Sequence, residues 1–315
     1  LPVQEGRVYR FQFMVHDGDQ NKTGGDVGEA CTIVRIIAPL HCDLVPPSQT
    51  ICLGKSATIC PNVTGGLRPY KYAWSNGSTD SCITVSPTGS TTYTVTVTDA
   101  ASPTSSTNCS QLIIVNTPPV VDLQPLDKTV CDGAAVSFNS TATGTPAPTM
   151  QWQVSTNSGS SWDNIANATS NPLSFTASAS QSGYQYRAVF TNECGSANSN
   201  AATLTVNTPP VVSLQPRDST VCDGGQVCFS SAATGKPAAS IQWQVNSGSG
   251  WSNIGGAIAS PLCFNAKATD SGNKYRAVFT NDCGTVNSNE ATLTVSAPPV
   301  VNLQPLDQTK CEPLE

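Results

Sequence analysis

The sequence predicts an all-β chain of tandem β-sandwich modules, and three observations predict it. The first is a repeat. Asn116-Thr117-Pro118-Pro119-Val120-Val121 returns as Asn207-Thr208-Pro209-Pro210-Val211-Val212, Gln151-Trp152-Gln153-Val154 as Gln242-Trp243-Gln244-Val245, and Tyr186-Arg187-Ala188-Val189-Phe190-Thr191-Asn192 as Tyr275 to Asn281. Cys222 follows Cys131 by 91 residues and Cys283 follows Cys194 by 89, a period that fits a whole small domain better than a solenoid unit. The second is composition: 24 Gly and 23 Pro in 315 residues, with abundant Ser and Thr, favour short strands and turns. The third is that no segment sustains the 3.6-residue apolar period, so almost no helix is expected.

Composition also excludes classes of function. A net charge of −6 and a pI near 4.9 disfavour nucleic-acid binding and adhesion to anionic lipid through charge. The thirteen cysteines form neither a dense knottin pattern nor CxxC zinc pairs. They recur at set places in each module, which fits disulfides in an oxidising, extracellular setting. Modules of about 75–90 residues bury only small cores, so cross-links would help them. No apolar run is long enough for a membrane-spanning helix and no signal peptide is evident; that absence means little, because the sequence reads as one that begins and ends mid-domain.

Taken in order, residues 1–39 read as the terminal hairpin of a preceding β domain. Arg7 to Val15 alternates with period two, and Ala30 to Ile37 makes the return strand. The loop between them carries Asp17-Gly18-Asp19-Gln20-Asn21, a spacing that places oxygen ligands around a calcium ion, with Asp26 able to close the loop. Lys22 and Gly28 stand where an EF-hand needs Gly and Glu, and a solvated Asx-rich turn is the competing account. Residues 40–115 form a shorter module with strands at 56–60, 70–74, 82–85, 92–97 and 111–115. Residues 116–206 and 207–295 are the two long repeats, joined by Pro-Pro linkers that resist bending. Residues 296–315 open a third copy that reaches Cys311.

Within each long repeat, Phe138 or Phe229 is followed 14 residues later by Trp152 or Trp243, and Ser182-Gly183-Tyr184-Gln185-Tyr186-Arg187-Ala188 or its counterpart 270–277 enters a later strand. This resembles the immunoglobulin D-x-G-x-Y-x-C signature, with Tyr186 and Tyr275 as tyrosine corners and with Phe and Ala in place of the usual cysteines. The Thr-Val-Cys-Asp-Gly start at 129–133 and the Asn-Glu-Cys-Gly-Ser hairpin at 192–196 are similar to immunoglobulin-like repeats of bacterial surface proteins. Module 40–115, with Tyr-Ala-Trp-Ser-Asn-Gly-Ser at 72–78, resembles polycystic-kidney-disease-type domains. The resemblance implies tandem immunoglobulin-like β-sandwich modules in an elongated array. It says little about ligands, because such sandwiches carry many functions.

That topology gives the cysteines partners. Ser137 and Ser174 become Cys228 and Cys263 in the next repeat, on neighbouring strands B and E, so a Cys228–Cys263 bridge on the outer face is expected. Cys60 and Cys82 occupy matching places in the first module. Cys131 precedes the A–B turn and Cys194 lies in the F–G hairpin, at opposite ends of a sandwich, separated by a strand of roughly 20 Å. A disulfide needs Cα atoms about 4.4–6.8 Å apart. The expected pairs are therefore Cys131–Cys283 and Cys52–Cys194, stapling consecutive modules, with an intradomain Cys131–Cys194 bond as the alternative. Cys42 could pair with Cys109 or with Cys31, and Cys31, Cys222 and Cys311 are left to neighbouring modules or other molecules.

No nucleophile setting surrounds His16 or His41, and neither a phosphate loop nor a paired-carboxylate cleft stands out. Trp162 and Trp251 could stack on sugar rings if exposed, or pack over the sheet edge in every repeat. Six N-x-S/T sequons (Asn21, Asn62, Asn76, Asn108, Asn139, Asn167) leave glycosylation open. The expectation is a non-catalytic stalk, adhesin or fibre of the bacterial surface or matrix, meeting copies of itself, other surface proteins or glycans, and able to form filaments by strand complementation. The alternative is a glycan-binding accessory region of a secreted polysaccharide-degrading enzyme.

Overall fold

The computed structural model describes residues 8–15, 28–297 and 301–303. Residues Asp17, Asp19, Asn21 and Asp26 of the expected calcium loop, and Cys311, lie outside the described residues. The described residues are almost wholly β, with two single 3-10 turns among them, Ala179–Gln181 and Ala268–Asp270. It divides into two compact units.

The first unit holds residues 1–122 with 142–149 and 190–197. Its hairpin pairs Val8–Val15 with Gly28–Arg35 antiparallel, placing Cys31 opposite Gln12. The following module has one sheet ordered Lys71–Trp74, Thr91–Thr98, Ser106–Leu123, Thr141–Thr145, with Ser48–Cys52 parallel to the long strand. Opposite it stand the pairs His41–Asp43 with Asn62–Thr64, and Ala57–Ile59 with Ile83–Val85. Alternate residues of these strands close the core: Ile59, Trp74, Ile83, Val95, Val97 and Ile113 are all buried. The Trp74 indole is satisfied by donating to Asp80 O at 2.8 Å.

Asp99 locks the turn that follows Thr91–Thr98. Its carboxylate accepts from the backbone N–H groups of Ser105 (2.8 Å), Leu67 (3.2 Å) and Ala101 (3.2 Å). The Ser105 bond above all holds its pKa below the ordinary carboxylate value, against the opposing effect of burial. A carboxyl depressed by folding contributes stability that is complete above its unfolded pKa of about 3.9 and is lost as pH falls through the lower folded value. The melting temperature of wild type is therefore expected to exceed that of Asp99→Asn at neutral pH, and the gap to narrow only below about pH 4. A gap that is unchanged down to acid denaturation would show that the charge contributes nothing.

The second unit holds residues 123–141, 150–189 and 198–315. Its third module is clearest. One sheet runs Ser219–Cys222, Ala291–Ser296, Lys274–Asn281, Ser240–Asn246, Trp251–Asn253, with Gly284–Asn287 also on Lys274–Asn281. Gln226–Phe229 and Leu262–Asn265 make the facing ribbon. The second module repeats this, with Lys128–Cys131 parallel to Ala202–Leu214 and Ala135–Phe138 paired to Leu173–Thr176. Phe138 and Phe229 replace the missing inter-sheet cysteines. They stack on Tyr186 and Tyr275 at 4.9 and 4.8 Å, over fully buried Ala188 and Ala277.

The Gln-Trp-Gln-Val motif is a bracing lattice. Gln151 Nε2 donates to the carbonyls of Trp152 (2.9 Å) and Ile165 (2.8 Å), and the Trp152 indole donates to Ser170 O at 3.1 Å. Gln153 bridges Asn164 and Arg187, both at 2.9 Å, and the Arg187 guanidinium lies 4.2 Å from the Trp162 ring centroid. The third module reproduces the set with Gln242, Trp243, Gln244, Arg276 and Trp251. Repetition of the motif thus reflects half-buried polar groups, and the indole of a buried tryptophan, that need partners.

One expectation is corrected. The Pro-Pro stretches are not linkers between separate strands, because single strands run through both: Ser106–Leu123 and Ala202–Leu214. Each closes one module and opens the next. The ladder shows why proline is tolerated: register shifts between Thr208 and Val211, so Pro209 and Pro210 sit in an irregularity that needs no ladder N–H.

Candidate functional site at the module joints

Two joints are built from the same parts. In the first unit, Ser48–Cys52 runs parallel to the long strand until Cys52 faces Asn116, and Leu53 N–H donates to Asn116 O at 2.8 Å. The hairpin cysteine is presented by Asn192, whose Oδ1 accepts from Cys194 N–H at 2.9 Å. The same amide reaches across, Nδ2 donating to Thr117 O at 2.8 Å and Pro146 O at 2.9 Å. Cys52 and Cys194 are then disulfide-bonded with Cα atoms 5.5 Å apart, and Asn116 Nδ2 donates to the Glu193 carboxylate.

The joint within the second unit matches it. Cys131 faces Asn207, and Asp132 N–H donates to Asn207 O at 2.8 Å. Asn281 accepts from Cys283 N–H and donates to Thr208 O and Pro237 O, each at 2.9 Å. Cys131 and Cys283 are bonded, again with Cα atoms 5.5 Å apart. Close approach explains a glycine here: a Cβ on Gly235, whose φ is +148°, would lie 3.2 Å from Asn281 Nδ2, Pro209 O and Pro210 Cα.

Three further bonds lie inside modules. Cys228 faces Cys263 across the B–E ribbon, Cys60 joins Cys82 beside the Ala57–Ile59 ladder, and Cys42 joins Cys109, which leaves the Cys31–Cys42 option unused. Cys131 does not pair with Cys194. Cys222 is free and exposed.

Other candidates are less built. Trp162 and Trp251 are half-buried, each with one face covered by an arginine. His41 pairs with Asp43 at 2.9 Å on an exposed surface. Among the described residues no three His, Cys, Asp or Glu side chains gather as a metal group. Each long repeat has a shallow groove, about 560 Å³ beside Ile165, Phe175 and Tyr184 and about 580 Å³ beside Ile254, Phe264 and Asn273. At the first, burial foremost pushes the Tyr186 phenol up to about 12. Sequence reasoning missed the two joint asparagines, Asn192 and Asn281, although their fixed place two residues before a hairpin cysteine was visible.

Sandwiches of this strand order, in series and bonded across their joints, define a tandem immunoglobulin-like protein. Residues 125–208 and 214–297, together more than half of the chain, match the family described as a domain of unknown function (DUF8696), and the chain belongs to that family. It is similar to endoglucanase C of Cellulomonas fimi, 42% identical over 186 residues, covering 58% of this chain and 17% of that protein. It is also similar to hemicentin-1 of Homo sapiens, 26% identical over 281 residues, covering 82% of this chain and 5% of that one. The chain thus spans less than a fifth of either relative. Titin I-band domains I67–I69 share its fold, with a TM-score of 0.59 at 21% identity over 82% of this chain and 99% of theirs.

Proposed function

We propose that this chain is a non-catalytic, load-bearing segment of an extracellular bacterial surface or matrix protein, working as a stalk or fibre with adhesive loops. The observation that carries the reading is the pair of matching joints, each fixed by a continuous strand, a bridging asparagine and a disulfide. A joint with one strand and one covalent staple has two attachment lines, which opposes bending far better than a single flexible linker. The five disulfides among the described residues fit an oxidising compartment. Partners are copies of the chain, other surface proteins or glycans, met through loops at module ends; strand complementation between copies would build filaments. The test is cell fractionation combined with adhesion under shear. The protein is expected in the surface or matrix fraction, and serine at both joint pairs is expected to weaken adhesion at unchanged abundance. Recovery from cytoplasm with reduced cysteines would overturn the reading.

A second reading is supported by the endoglucanase relative: a glycan-binding accessory region. Retention on insoluble cellulose or xylan, competed by soluble oligosaccharide, would establish it. Calcium at Asp17, Asp19, Asn21 and Asp26 is proposed from ligand spacing alone. Terbium luminescence displaced by calcium, and lost in Asp17→Asn/Asp19→Asn, is the expected result; no terbium signal would remove the site.

A further inference from the structure

The end of the third module repeats what both joints use, with its cysteine unpaired. Ser219–Cys222 runs parallel to Ala291–Ser296 until Cys222 faces Ser296, as Cys52 faces Asn116 and Cys131 faces Asn207. Asp223 N–H donates to Ser296 O at 3.2 Å, the bond that Leu53 and Asp132 make at the other two places. What differs is cover. Asn116 and Val206 are buried at completed joints, whereas their counterparts Ser296 and Val295 are exposed and half-buried, and Cys222 is exposed where Cys52 and Cys131 are not. From Ser296-Ala297-Pro298-Pro299 the sequence opens another copy of the repeat.

We propose that Cys222 is one half of a third joint disulfide, whose other half is the hairpin cysteine of an Asn-x-Cys-Gly turn in the repeat that opens at Ser296. Both joints obey one rule: the A–B cysteine of a module takes the F–G cysteine of the next. A second copy of the chain offers no such partner, because Cys194 and Cys283, in its two Asn-x-Cys-Gly hairpins, are already bonded. The hairpin asparagine would donate to Ala297 O, the place that Thr117 and Thr208 hold at the other joints. Closing the bond removes two protons and two electrons from the two thiols. A disulfide oxidant such as oxidised glutathione accepts them and leaves as two thiols. The pairing stands or falls independently of what the surface binds.

The test extends the chain by one module, joining a copy of residues 215–296 after Leu303, with the copied Cys222 changed to serine. In the 315-residue protein, N-ethylmaleimide is expected to label Cys222 without denaturant. In the extended protein, refolded with oxidised and reduced glutathione, labelling of Cys222 is expected to fall to background, and peptide mapping to link it to the appended hairpin. Cys222→Ser in the extended protein should leave the appended hairpin cysteine open to labelling. Formation of the copied Cys228–Cys263 bond reports that the appended module folds. With that bond present, continued labelling of Cys222, or a chain-to-chain Cys222 dimer, would overturn the proposal.

Discussion

Replacing Cys228 and Cys263 together by serine is expected to destabilise the third module by about 2–4 kcal/mol. The bridge closes a separation of 35 residues, for which the chain-entropy relation gives roughly 4 kcal/mol. Both cysteines are exposed on the outer face of the ribbon, so the serines open no cavity and the effect isolates the cross-link. The second module supplies the reverse experiment in the same chain. Ser137 faces Ser174 at the equivalent pair, so Ser137→Cys/Ser174→Cys should stabilise that module by a similar amount. For a domain of this size each kcal/mol moves the melting temperature by about 4–8 °C. Hydrogen exchange of the amides around Phe229 and Tyr275, against those around Phe138 and Tyr186, reads the two modules separately. If protection around Phe229 is unchanged in the serine variant, the bridge adds nothing to a core already closed by Trp243.

The same comparison of repeats shows what was legible. Ser-to-Cys exchange at two positions at once, on strands B and E that neighbour each other in the immunoglobulin topology the sequence resembles, pointed to the Cys228–Cys263 bridge. Phe138 and Ala188, standing where cysteines belong in an immunoglobulin domain, showed that the inter-sheet disulfide is missing; the stacking of Phe138 on Tyr186 in its place is seen only in the structure. These signals survive because burial and covalent geometry constrain residue type strongly. The strands crossing Pro118-Pro119 and Pro209-Pro210 were not legible. Proline reads locally as a break, and only the ladder irregularity beside it shows that no N–H is wanted there. Nor could Trp162 be assigned by sequence, since an aromatic covered by Arg187 and one open to a ligand look alike in one dimension.

Removing the Cys131–Cys283 bond is expected to act differently from removing Cys228–Cys263. Against a fully unfolded chain, its separation of 152 residues gives roughly 5 kcal/mol. Much of that closure is already made, however. The modules have their own cores, and the strand Ala202–Leu214 ties them by pairing with Ala232–Lys236. The loss should therefore appear as motion at the joint, with core protection nearly unchanged. In Cys131→Ser/Cys283→Ser, exchange is expected to quicken in the Asn281–Gly284 hairpin and the Ala232–Lys236 ladder. Adding Asn281→Ala removes the bonds to Thr208 O and Pro237 O and costs a further 0.5–1.5 kcal/mol or so at the joint, because a half-buried and an exposed acceptor lose their donor. Spin labels on exposed sites of the two modules should give one narrow distance distribution in wild type, a broader one without the disulfide, and the broadest in the triple variant. If all three distributions coincide, the continuous strand alone sets the joint. The staple would then limit only how far the modules separate once that strand is pulled out of its ladder, which makes it a safeguard under load and not a source of stiffness.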